Sequence, residues 1–365
     1  MKIIVTGTRG IPEIQGGVET HCQELYPRLA AMGHDITVIC RKPYVTYDGD
    51  EYCGVKLLAV DTPRRKSLEA IVHTWRALRA ARRMKPDIIH IHAIGPALLT
   101  PVARLMGMTV VTTNHGPDYD RSKWGRAAKA ILRLGERMGA RWSNRVIVIS
   151  RVIAGILADR YGRTDTDLIY NGVNIPSPAT ATDYIESLGL TPRRYVVAVG
   201  RFVEEKGFHD LIEAFAKAAP PGYRLAIAGD ADHPDAYSRQ LKESALANGV
   251  VLTGFIRGDK MRQLMSHAAL FAMPSYHEGL PIALLEAMSY RLDVAVSDIP
   301  ACRLGCLSPA DHFPVGDTTA LGRLITAKLS TPATPRDYDL SQYNWDTIAR
   351  QTVAVYESAL HGKQP

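Results

Sequence analysis

Cysteine is scarce in this 365-residue chain, and the five present (Cys22, Cys40, Cys53, Cys302 and Cys306) are scattered and odd in number. Disulfide frameworks use even, regularly spaced sets, so reduced thiols are expected instead. Cys302 and Cys306 lie four apart, but no second Cys or His pair completes a zinc set. Long apolar runs are missing as well. The opening MKIIVTG is too short for a membrane span or a secretion signal and turns at Gly7, so a cytoplasmic chain is expected. No tract is of low complexity, and no unit repeats at a fixed period. The GxGxxG spacing of dinucleotide-binding folds is absent too, which disfavours a dehydrogenase.

What is present is ordinary globular material. Hydrophobic residues make up 46% and charged residues 22%, enough to bury two cores at this length. A net charge of +7 suits anionic partners, whether nucleotide phosphates, acidic lipid or nucleic acid, without choosing among them. Only that charge speaks for nucleic acid, so no nucleic-acid partner is expected.

Short Val- and Ile-rich runs alternate with helical patterns. Val and Ile dominate KIIVTG, DITVIC, VKLLAV, DIIHIH, TVVTTNH and RVIVIS in the first half, and several are apolar on both faces, as strands buried in a parallel sheet are. The pattern restarts with YVVAVG, YRLAIAGD, GVVLTG, ALFAMPS and VAVSD. The fold class is therefore α/β, with two Rossmann-like, doubly wound domains. Residues 1–177 form the first domain and 194–342 the second, joined by a Pro-, Thr- and Ser-rich linker at 178–193. Residues 343–365 hold a terminal helix that either caps the second domain or crosses back to the first.

Three constellations carry chemistry. In SYHEGLPIALLEAM (275–288) a strand ends, Gly279 permits close backbone approach, and Pro281 suits the first turn of a helix. Glu278 then lies on the loop and Glu286 on the helix. Free amides at that helix start can bind phosphate, and the two carboxylates can accept hydroxyls of the same ligand. In VGRFVEEKGFHDLIEAF (199–215), Arg201 and Lys206 lie at the carboxyl end of a strand, where open α/β sheets bind ligands. Two fixed cations there can neutralise a diphosphate without a metal. In TGTRGIPEIQGGVETHCQEL (6–25), a loop with Gly7, Gly10, Gly16 and Gly17 precedes a helix, so backbone amides can approach an anion.

These residues resemble the retaining glycosyltransferases of family 4, which have the GT-B fold of two Rossmann-like domains facing a central cleft. Gly16-Gly17, GRFVEEKG, YNGVN (170–174) and the Glu278/Glu286 pair carry the resemblance over almost the whole length. GTRGIPEIQGGVET and HGPDYDRSKWG (115–125) are similar to a bacterial polysaccharide and rhamnosyltransferase-like branch. The resemblance implies a nucleotide diphosphate sugar donor, no metal and no other cofactor. It implies that Arg201 and Lys206 hold the diphosphate and Glu286 the ribose. Glu278 and the amides of Gly279 and Leu280 would hold the sugar, with Gly16-Gly17 approaching the phosphates from the other domain. His115 would sit at the reacting face, and Gly254, Phe255 and Ile256 would meet the base. Asp118, Arg121, Lys123 and Trp124 are candidate acceptor contacts. The chain departs from the family at YRLDVAVSDIP, where Leu292-Asp293 replaces a Gly-Pro step and leaves the rim near the sugar open.

The resemblance further implies retention. No pair of carboxylates flanks a sugar as in a glycosidase, so a front-side displacement is the expected mechanism. The Asp230–Asp232 DAD is read as a loop and not as a metal-binding motif. Residues 121–145 carry eight Arg or Lys with apolar positions between them. They fit either a solvated domain helix or an amphipathic helix on an anionic membrane surface, which would suit a glycan or polyprenyl-linked acceptor in surface polysaccharide synthesis. Rival readings are a nucleotide-sugar epimerase or phosphorylase on the same fold, and a non-catalytic sugar-nucleotide-binding subunit.

Overall fold

Each β-rich run forms a strand because its branched side chains fill both faces of a sheet covered by helices. The computed structural model describes residues 1–63, 69–120, 125–231 and 234–362. They form two compact units, Met1–Gly172 with Gln342–Pro365, and Val173–Ser341.

The first unit runs β1 (Lys2–Thr6), α1 (Gly17–Ala31), β2 (Asp35–Arg41), β3 (Glu51–Tyr52), β4 (Val55–Val60), α2 (Glu69–Met84) and β5 (Ile88–His92). It continues through α3 (Ile94–Ala97), α4 (Thr100–Leu105), β6 (Val110–Asn114), α5 (Arg126–Trp142), β7 (Arg145–Val148), α6 (Arg151–Tyr161) and β8 (Asp167–Leu168). The sheet order is β3-β4-β2-β1-β5-β6-β7-β8, parallel except for the β3–β4 pair. Side chains alternate across it. Ile3 and Val5 pack with Leu25, Tyr26 and Leu29 of α1, whereas Ile4 packs with Ala77, Leu78 and Ala81 of α2.

The second unit runs α7 (Asp183–Ser187), β9 (Tyr195–Val199), α8 (Phe208–Ala218), β10 (Arg224–Ala228), α9 (Ala236–Ala247) and β11 (Val251–Gly254). There follow α10 (Gly258–Ser266), β12 (Leu270–Met273), α11 (Ile282–Ser289), β13 (Asp293–Ser297), β14 (His312–Phe313) and α12 (Thr318–Leu329). Its strands are all parallel in the order β11-β10-β9-β12-β13-β14. Val196 and Ala198 face α8, α9 and α12, and Tyr195 and Val197 face α10 and α11.

The expected linker at 178–193 is corrected by this arrangement. Ala179, Ile185 and Leu190 are buried, and α7 lies in the middle of the segment, so it is part of the second unit. Its Pro, Thr and Ser suggest a linker, but three spaced apolar side chains suffice to seat it on the core.

The chain ends in α13 (Trp345–His361), which belongs to the first unit and packs on α1. Asn344 caps it by accepting from the amides of Asp346 and Thr347. Trp345, Ile348 and Tyr356 are buried in the same cluster as Ile3 and Tyr26. Truncation of Trp345 to alanine is expected to destabilise the first unit by about 3–5 kcal/mol, as for other buried aromatics. Urea denaturation measures this, and an unchanged midpoint would show that α13 is not a structural part of the unit.

Candidate active site

In the second unit the strand order reverses between β9 and β12, the place where open parallel sheets leave a crevice at their carboxyl ends. The loop after β9 carries Arg201 and a short turn, Glu204–Lys206, and ends at Gly207 with φ 64°. A Cβ on Gly207 would lie 2.1 Å from the Pro274 carbonyl oxygen, so only glycine lets this loop meet the end of β12. The contact brings two sequence motifs together. Lys206 Nζ donates to Glu278 Oε1 at 2.6 Å, and the two side chains are only 19% and 11% exposed. The Tyr276 amide donates to the Glu205 carbonyl at 2.9 Å, and the Tyr276 hydroxyl donates to Asp210 Oδ2 at 2.5 Å. The loop bearing Glu278 is thus fastened to the start of α8.

Arg201 is half-buried on the same loop as Lys206. Gly279 and buried Leu280 lead through Pro281 into α11, which carries half-buried Glu286. Gly254 ends β11, and Phe255 is 43% exposed beneath the Arg257 guanidinium at 5.0 Å. The side chain of Ile256 is buried among core residues. Asp230 is paired with Lys242 at 2.7 Å and also accepts from the Ala231 amide, while Asp232 lies outside the described residues.

In the first unit the glycine loop leaves β1 and enters α1 at Gly16-Gly17. Gly16 has φ 145°, and a Cβ there would lie 2.1 Å from Glu19 Oε2. Glu19 is buried in the first turn of α1. Its Oε1 accepts from the Arg9 amide at 3.0 Å and from Arg9 Nε at 3.2 Å. Burial alone would raise the Glu19 carboxyl, but the Arg9 charge and hydrogen bonds outweigh it and hold the group below its usual range. The loop is therefore clamped by a buried ion pair.

His115 follows β6 beside the end of β5. Its Nε2 lies 2.9 Å from Nδ1 of buried His92, and His92 Nε2 lies 2.5 Å from the Tyr26 hydroxyl. The same hydroxyl is 2.9 Å from His90 Nδ1, and His90 Nε2 is 2.7 Å from Thr113 Oγ1. His21 on α1 faces this chain, with its Nδ1 3.0 Å from Asn171 Oδ1. His21, His92 and His115 place one ring nitrogen each within 4.8 Å of one another, a set able to hold a metal ion. Burial, then the neighbouring rings, pulls the pKa of His21, His90 and His115 down to about 3 and lowers that of His92 as well.

Asp118 lies in a short turn, Asp118–Asp120, anchored by buried Tyr119, whose hydroxyl bonds Glu136 of α5 at 3.0 Å. Arg121, Lys123 and Trp124 fall outside the described residues.

Residues 15–176 match Glycosyltransferase Family 4, and residues 181–332 match Glycosyl transferases group 1. This chain belongs to glycosyltransferase family 4. It is 30% identical to the 2-deoxystreptamine N-acetyl-D-glucosaminyltransferase of Streptomyces fradiae over 70% of its own length and 65% of that relative's. In fold it resembles the sucrose-phosphate synthase of Thermosynechococcus elongatus, with a TM-score of 0.84, 21% identity and coverage of 99% of this chain and 100% of the other. It also resembles Anabaena HepE in complex with UDP-glucose, with a TM-score of 0.78, 20% identity and coverage of 98% and 99%. The fold is accordingly GT-B.

Several residues of this family 4 glycosyltransferase were invisible to motif reading. Arg9, Glu19, His21 and His92 match no spacing rule. The one available signal was DIIHIH, where two histidines interrupt an otherwise apolar strand. Their burial has a measurable consequence. Unfolded, these rings take a proton near pH 6.5, but in the fold His21, His90 and His115 resist it until about pH 3. Acidification through that window protonates the unfolded chain alone and lowers stability, by up to about 1.4 kcal/mol per pH unit for each ring. Denaturant titrations at about pH 7 and about pH 5 should show this loss, with a smaller loss in His21→Gln. Equal stability at both values would contradict the buried neutral cluster.

Proposed function

We propose that this glycosyltransferase moves a hexosyl or rhamnosyl unit, with retention, from a nucleotide diphosphate sugar. The acceptor is a glycan or polyprenyl-linked intermediate of bacterial surface polysaccharide synthesis. The observation that carries the reading is the Lys206–Glu278 contact at the strand-order reversal of the second unit. It holds a cation for the donor phosphate beside a carboxylate for the sugar hydroxyls. The UDP-glucose bound by the structural relative HepE supports a donor of this class.

In this reading Arg201 and Lys206 bind the diphosphate and stabilise the charge that develops on it, so the transfer step needs no metal. Glu286 accepts the ribose hydroxyls. Glu278, with the amides of Gly279 and Leu280, orients the sugar. The Gly16-Gly17 turn and neutral His115 are the first unit's contribution. The acceptor oxygen bonds to the anomeric carbon on the face from which the phosphate departs, and its proton passes to the leaving phosphate oxygen. A thermal-shift screen of nucleotide diphosphate sugars, then transfer assays in excess EDTA, tests this. Lys206→Ala and Arg201→Ala are each expected to lower kcat by about 10²–10³. NMR should show a retained anomeric configuration in the product. Inversion, or strict dependence on an added divalent ion, would overturn the mechanism.

The same enzyme is proposed to work on an anionic membrane surface through α5. Among the described residues no helix is long and apolar enough to cross a membrane. The outer side of α5 exposes Arg126, Arg133, Arg137 and Arg141 beside Ile131, Leu134 and Trp142, which are 44%, 46% and 44% exposed. Its one carboxylate, Glu136, is buried and bonded to Asn114, Tyr119 and Tyr161. Among the described residues no carboxylate forms an ion pair with these four arginines, and cations set among apolar side chains suit acidic headgroups. Replacing Arg137 and Arg141 by alanine should weaken binding to anionic vesicles by about 1 kcal/mol per charge. Sedimentation with vesicles checks it, and binding that ignores salt or lipid charge would refute it.

A further inference from the structure

The mechanism uses His115 alone among a group of imidazoles, all buried but half-buried His115, that the fold gathers from three separate elements. His21 lies on α1, His92 ends β5 and His115 follows β6. Their ring centres are 5.6 Å (His21–His92), 5.1 Å (His21–His115) and 5.2 Å (His92–His115) apart. Three imidazoles that hold one ion at about 2.0–2.1 Å in tetrahedral geometry have ring centres about 5 Å apart. His92 Nδ1 and His115 Nε2 face each other at 2.9 Å, and on His21 the bond from Nδ1 to Asn171 leaves Nε2 as the nitrogen available to an ion.

The outward nitrogens are held in the manner of metal-ligating histidines. Such residues donate the second ring N–H to an oxygen, which fixes both tautomer and orientation. His21 Nδ1 meets Asn171 Oδ1 at 3.0 Å, and His92 Nε2 meets the Tyr26 oxygen at 2.5 Å. Three imidazoles without a carboxylate select a borderline-soft divalent ion of the zinc type over magnesium or calcium.

We infer that His21, His92 and His115 form a binding site for a zinc-class divalent cation, and that its occupancy restrains sugar transfer by withdrawing His115. The ion takes the place of the proton shared by His92 and His115. That proton moves to an outward nitrogen, so each ring keeps one proton and none is lost. Three protein ligands leave the fourth position to water or hydroxide on the partly exposed side at His115. The site thus works against the transfer step, not within it. The regulatory half rests on the reading of His115 given under Proposed function, and the metal site itself does not.

The test uses the full chain with no nucleotide or sugar present. After chelation and dialysis, cobalt(II) is titrated in and followed by visible absorption, and zinc uptake is measured by equilibrium dialysis. The expected result is one ion per chain with the intense visible bands of tetrahedral cobalt. Those bands should be lost in His21→Ala, and affinity should fall about 10- to 100-fold in Asn171→Ala, which keeps all three ligands. Circular dichroism and melting confirm that each variant is folded, and Asn171→Ala decides the matter if His21→Ala is not. Absence of stoichiometric uptake, or uptake unchanged in both variants, would overturn the site. So would near-ultraviolet thiolate bands, which would assign the ion to exposed Cys53. In transfer assays zinc should inhibit the wild type and inhibit Asn171→Ala only at correspondingly higher concentration. Binding without inhibition would overturn the regulatory half alone. A chain that binds the ion yet transfers no sugar would instead remove the proposed function.

Discussion

A parallel sheet covered by helices on both faces has nowhere to put polar chemistry except the carboxyl ends of its strands. Most of the candidate site residues of this chain follow from that constraint. Gly16 and Gly17 follow β1, His92 ends β5, and His115 follows β6. Arg201 and Lys206 follow β9, Phe255 follows β11, and Glu278 follows β12. Each lies at the carboxyl end of a strand or in the segment that leads from it to the next element. In the second unit the reversal of strand order between β9 and β12 sets two such turns side by side, and the Lys206–Glu278 pair closes the gap between them.

The two units manage charge differently. The second keeps its cation and carboxylate close together at a partly exposed loop, where a diphosphate can compete for the lysine. The first encloses its polar groups. Glu19 is neutralised by Arg9, Glu136 is surrounded by hydroxyl and amide donors, and the histidines are kept neutral by burial. A neutral imidazole at the end of β6 is a better neighbour for a developing oxocarbenium ion than a charged one, since it can accept a hydrogen bond without adding positive charge. The same neutrality makes those rings available to a soft cation. In the proposed mechanism burial of this cluster serves catalysis, and the proposed metal site uses the same atoms.

The terminal helix shows how far such enclosure depends on distant sequence. Tyr356 of α13 approaches His90 Nδ1 at 2.7 Å, and Trp345 lies edge-on to His21 with ring centres 5.5 Å apart. The last segment of the chain therefore completes the wall behind the histidines of the first unit. The family 4 match ends at residue 176, yet the polar interior of that unit is finished some 170 residues later.

Periodicity and composition determined the α/β class, the two doubly wound sheets and nearly every strand, because buried parallel strands leave an apolar signature that local reading detects. The motifs at Arg201, Lys206, Glu278 and Glu286 were legible for a similar reason: the first three lie in loops that follow a strand end, and Glu286 lies on the helix that the second of those loops enters. Tertiary structure alone decided the rest. It seated residues 178–193 on a core that their composition disguised, and it buried Ile256. It assigned α13 to the first unit, and it brought His21, His92 and His115 together from positions 71 and 23 residues apart. Contacts of that separation depend on which strands pair and which helices cover them, and no spacing rule along a single chain encodes that choice.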